Sequence, residues 1–138
     1  MPAGRRFATV PIVLLAAILV LSVTLPALAD ARDISVGGVF ITRLTADAPP
    51  YSSYQRAVAV NKRITDVLGT PRFRRGAVVT VRQAGPDALV LVGDMLVFTV
   101  TPLDAAGTSV TTVQQARQWA ALLAQGLGKA LPDSTFHF

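Results

Sequence analysis

Two aspartates, Asp47 and Asp104, stand at matching points of two similar segments of this chain. A carboxylate pair is the smallest set of side chains that can run acid–base hydrolysis, provided both face one pocket. Held apart, each would accept hydrogen bonds from nearby backbone, as Asp does in loops and at helix entries. The local role is the expectation, and a small hydrolase using Asp47 and Asp104 is the alternative. Little else supports catalysis. The one histidine, His137, is a residue from the C-terminus, and a loose tail cannot hold a general base in place. The chain has no Cys and no Glu, and it lacks a nucleophile elbow, a phosphate-binding Gly-rich loop and an HExxH helix. The reading is therefore not an enzyme, with no catalytic residue, cofactor or metal site.

The cluster Arg72-Phe73-Arg74-Arg75 is the best surface feature. It could touch anionic headgroups, a cell-wall polymer or an acidic envelope protein, so these four residues are the candidate binding site. A solvated connector is the plainer account, because four residues make a small footprint. Nucleic acid is not an expected partner. The net charge of +5 falls to +3 once Arg5 and Arg6 are set aside with the leader, and the surplus is scattered.

That leader comes next. Arg5 and Arg6 precede an apolar run from Ile12 to Leu25, which closes on Ala27-Leu28-Ala29 just before Asp30. This is the three-part pattern of a secretory signal, with small residues at the −3 and −1 positions of the cleavage site. Residues 1–29 are read as a signal peptide and export to the periplasm or cell surface as the destination. The alternative is a structural envelope component held by an uncleaved signal, since residues 8–29 are long enough to span a bilayer; membrane attachment is expected only in that case. Without cysteine there can be no disulfides, so the exported domain must rely on apolar burial.

Residues 30–131 then read as one domain and 132–138 as a flexible tail. Ile34 to Leu44 is a hairpin turning at Gly37-Gly38. Ser52 or Ser53 caps a helix to about Leu68, with Ala57, Val60, Ile64, Val67 and Leu68 on one face. Gly69 is expected to close that helix in a left-handed conformation, and Pro71 to prevent its continuation. Ala77 to Gln83 alternates as a half-buried strand, Gly85-Pro86-Asp87 turns, and Leu89 to Thr101 forms a second hairpin around Gly93-Asp94. Thr112-Val113-Gln114-Gln115 fits a capping box, opening a helix that Pro132 ends. Trp119 lies beside its apolar stripe and is expected to extend the core.

Val36 to Thr45 and Val92 to Thr101 align as copies, each leading through a loop into an amphipathic helix. This points to an internal repeat in the order ββα-βββα. Two helices that must each bury one stripe imply an α+β two-layer sandwich, a mostly antiparallel sheet with both helices on one face. The terminal aromatics Phe136 and Phe138 resemble the end of an outer-membrane barrel, but the chain has too few strands for one.

The order of elements resembles a known module. Val36 to Phe40, Arg56-Ala57 and Asn61 to Ile64 in the first helix, Val97 to Ala105, and Gln118-Trp119-Ala120 resemble the extracytoplasmic N-terminal domain of bacterial mechanosensitive channels of the small-conductance type. The resemblance covers nearly all of residues 34–131. No pore helices follow Leu131, so it implies a free-standing relative of a sensor or accessory domain. It supplies no catalytic residues.

Overall fold

The computed structural model describes residues 30–138; the expected signal segment, residues 1–29, lies outside the described residues. Gly37 and Gly38 turn the chain between β1 (Asp33–Val36) and β2 (Val39–Arg43). Two residues later Val36 faces Val39 and Ser35 faces Phe40; the register then slips, so that Ile34 faces Thr42 and Asp33 faces Arg43. The second hairpin, β4 (Asp87–Val92) with β5 (Met95–Val100), follows the same pattern. Val92 faces Met95 and Leu91 faces Leu96, and after the slip Val90 faces Phe98 and Leu89 faces Thr99. The segments that align in sequence thus form hairpins of one register, with a bulge at the same place.

They are used differently. The β1–β2 hairpin is a sheet by itself, whereas β4 and β5 join β3 (Gly76–Ala84) and β6 (Thr135–His137) in a sheet of order β5-β4-β3-β6. Its pairings are antiparallel except that of β3 with β6. The chain is an α+β sandwich in the order expected. Helix α3 (Thr112–Ala130) packs against β3 and β4 and also against the β1–β2 hairpin, while α1 (Ser53–Gly69) packs against β5 and β1. A four-residue helix, α2 (Pro102–Ala105), links β5 towards α3.

The core is built from the alternating positions Ala88, Val90 and Val92 of β4, from Phe98 and Val100 of β5, and from the stripes of both long helices. Trp119 is buried there, tilted against Phe98 with ring centroids 5.3 Å apart, a favourable aromatic geometry. Where α3 crosses the first hairpin the backbones nearly touch. A Cβ on Gly126 would lie 2.5 Å from the Val36 carbonyl oxygen, so only glycine fits.

Three local expectations need correction. Gly69 does not close α1 in a left-handed conformation; it is the last helical residue, and Thr70 caps with extended backbone (φ −85°, ψ 115°). Pro71 is the cause, because a residue before proline is pushed out of the helical region. The α3 capping box is Thr111 with Gln114, one residue earlier than expected. Thr-Thr-Val-Gln-Gln carries the motif in both frames, and the helix uses the first. Finally, the segment 132–138, expected as a flexible tail, carries β6. Phe136 packs against the core and the Thr135 N–H donates to the Arg75 carbonyl at 3.0 Å. Gly76, at φ 104°, permits the approach, since any Cβ there would lie 1.8 Å from the Thr135 carbonyl oxygen. His137 therefore sits in a strand opposite Val78, exposed on the sheet edge. Among the described residues no helix is long and apolar enough to cross a membrane.

Candidate ligand-binding cleft

Beside its buried stripe, α1 presents Gln55, Ala59 and Arg63, three residues spaced four apart and so stacked along one flank. This flank, the loop after β2 and the outer edge of β5 enclose a cleft of about 500 Å3, within the range of small-ligand sites. Leu44, Val60 and Phe98 give it an apolar floor, and Tyr51 stands exposed at its border.

Strand β5 is the edge of the main sheet, and an edge leaves backbone groups unpaired. Two arginines of α1 cover them. Arg63 Nη1 donates to the Val97 carbonyl at 3.4 Å and Arg56 Nη2 to the Thr99 carbonyl at 3.1 Å. Arg56 also donates to the Ala46 carbonyl at 2.5 Å and holds both carboxylate oxygens of Asp104, at 2.7 and 3.0 Å. Asp104 in turn accepts from the Thr101 N–H at 2.8 Å and from the Thr101 hydroxyl at 3.1 Å. Both terminal nitrogens of Arg56 and both oxygens of Asp104 are thus engaged, and among the described residues no buried side-chain N or O atom lacks a partner, the condition under which a buried ion pair is tolerated.

Arg63 differs. It is half-buried at the cleft wall, its one hydrogen bond is the long contact to Val97, and among the described residues no carboxylate lies within ion-pair distance of it. The guanidinium has further donors, set in a planar fork that matches a carboxylate. Asp87, at the start of β4, lines the same cleft and likewise has no ion-pair partner among the described residues.

The residues singled out from the sequence lie elsewhere. Asp47 accepts from the Ser53 N–H at 2.6 Å, fixing the entry of α1. Asp104 is sealed under Arg56, with 3% of its side chain exposed, and does not line the α1–β5 cleft. The two carboxylates are each committed to a local backbone N–H and do not face a common pocket. Phe73 is a core residue, so the basic cluster is not one surface. Arg72 stacks over the Phe73 ring at 4.8 Å and pairs with Asp94 at 2.5 Å. Within the cluster, Arg74 and Arg75 are exposed and have no ion-pair partner among the described residues. The strongest electrostatic perturbations are at the N-terminal hairpin. Asp33 is held below the usual carboxylate range by hydrogen bonds from the Arg43 guanidinium across the strands, and Asp30 is lowered by Arg32.

Arg56, Arg63 and Asp87 were not legible as a site. The available signal was slight: Arg56 and Arg63 lie seven apart, two turns of helix, and flank the apolar stripe. Nothing in that spacing tells which element the stripe will bury against.

Comparison with family models places residues 33–130 in a family described as a domain of unknown function, DUF8459, and the chain belongs to it. Comparison with curated proteins and with solved structures finds no match.

Proposed function

We propose that this protein is an exported, non-enzymatic binding domain that takes its ligand in the cleft between α1 and the β5 edge. Arg63 carries the reading. A half-buried cation without a counter-charge is costly to hold, and a bound anionic group would offset that cost while the fork supplies orientation. The absence of a shared pocket for Asp47 and Asp104 favours binding over hydrolysis. Export is supported by Arg5-Arg6, the apolar run and Ala27-Leu28-Ala29, a combination that fits cleavage before Asp30. The resemblance to channel sensor domains is compatible with a sensing or accessory role in the envelope.

Amide chemical-shift mapping tests the site. Titration of the labelled protein with small carboxylates should perturb residues Gln55 to Arg63 and Phe98 to Thr101. Shifts confined to Arg74 and Arg75, or none at all, would reject the cleft. Sequencing the exported protein from its N-terminus should begin at Asp30; intact chain in the membrane pellet would instead support the uncleaved anchor.

A further inference from the structure

We infer that the cleft is built for a short peptide with free ends, about three residues long, whose carboxylate meets Arg63 and whose ammonium meets Asp87. The inference rests on the cleft being the binding site. It begins from charge. The cleft wall carries Arg56, Arg63 and Asp87, and Arg56 is already neutralised by Asp104. What remains is one unpaired cation and one unpaired carboxylate, the complement of a zwitterion rather than of a simple anion.

Strand β5 gives the separation of the two charges. The Arg63 guanidinium sits on the carbonyl of Val97. Asp87 precedes Ala88, whose partner across the ladder is Val100. Three or more residues of strand, at about 3.3 Å each, therefore lie between them, or roughly 10 Å. A free amino acid bears both charges on one carbon and cannot reach. An extended chain covers at most about 3.3 to 3.6 Å per residue, so a peptide of about three residues spans the gap.

The same strand disfavours an occupant that pairs with it as an added strand. An added β-strand would hydrogen-bond to the free edge of β5, but the carbonyls of Val97 and Thr99 already accept from Arg63 and Arg56. Main-chain recognition along the edge meets competition at these two carbonyls, which leaves the two charged ends as the stronger handles on the peptide. Between them, Pro49, Tyr51 and Ala59 offer an apolar surface for one central side chain.

Calorimetric titration of the purified protein with Ala-Leu-Ala tests this. The free tripeptide should bind, and N-acetylation or C-amidation should each weaken it by about tenfold, the loss of one charged contact. Alanine should not compete. These comparisons use the unaltered protein, so no variant has to fold for the result to count. Arg63→Gln should then erase the preference for the free carboxylate over the amide, and Asp87→Asn the preference for the free amine over the acetylated form. Blocked and free peptides of equal affinity, or no binding of Ala-Leu-Ala, would overturn the inference. If acetate or alanine nevertheless shifts the cleft amides in an Arg63-dependent way, the peptide inference alone has failed. If no probe shifts them, the cleft itself is not the site.

Discussion

Arg56 and Asp104, 48 residues apart in the chain, meet in a two-point ion pair, with 9% of one side chain and 3% of the other exposed. The pair ties α1 to the entry of α2 and closes the end of β5. Removing one partner would leave the other buried and uncompensated, at a cost of about 3 to 5 kcal/mol. Asp104→Asn and Arg56→Met should each lower the unfolding free energy by that amount, seen in urea as a lower midpoint at unchanged slope. The double variant Arg56→Met/Asp104→Leu should lose much less than the sum. Asp47, which holds one exposed backbone N–H, should cost only about 0.5 to 2 kcal/mol on change to Ala, as a lost capping bond does.

Gly126 and Gly128 lie two residues apart in α3 with opposite surroundings. A Cβ on Gly126 would strike Val36, while around Gly128 the space is open. Gly126→Ala should therefore destabilise by about 1 to 3 kcal/mol through overpacking. Gly128→Ala should stabilise by up to about 1 kcal/mol through helix propensity. Thermal melts of the two variants should move in opposite directions.

The two helix stripes are core, as Leu123 and Ile64 show by their burial. Truncating either to Ala should cost about 2 to 5 kcal/mol. A loss below about 0.5 kcal/mol, the range of an ordinary surface site, would contradict the packing of that helix.

The basic connector should divide by residue. Phe73→Ala should cost about 3 to 5 kcal/mol, as for a core aromatic. Arg74→Gln with Arg75→Gln should stay within about 0.5 kcal/mol of the parent. If those arginines bind an anionic surface, the double variant should also lose salt-dependent adsorption to anionic vesicles.

Acid should weaken the first hairpin. Asp33 has its folded pKa depressed by Arg43, and Asp30 by Arg32. A depressed carboxylate contributes stability above its unfolded value, near 3.9, and that contribution fades as pH falls through the folded value. Stability measured from pH 7 downward should hold to about pH 4 and then decline. In Asp33→Asn the decline should be shallower and the stability at neutral pH lower.

The sequence alone determined whatever depends on neighbours a few residues away. The Gly-Gly turn made the first hairpin, Ser52 with Gln55 opened α1, Pro71 stopped it, and apolar residues at three and four spacing marked both stripes. Those signals led to an α+β class with the elements in their right order, because backbone sterics and hydrogen bonds act locally. The chain's composition could not say which surfaces would meet. Docking of α3 on the first hairpin is decided by Gly126 fitting under Val36. The C-terminal segment becomes a strand because Phe136 finds the core and Gly76 lets it approach, and seven residues without periodicity give no hint of either. The cleft is the extreme case. Arg56 finds Asp104, and Arg63 finds no carboxylate among the described residues, only after α1 has been laid along β5, so the charges that define the site exist as a set only in the folded chain.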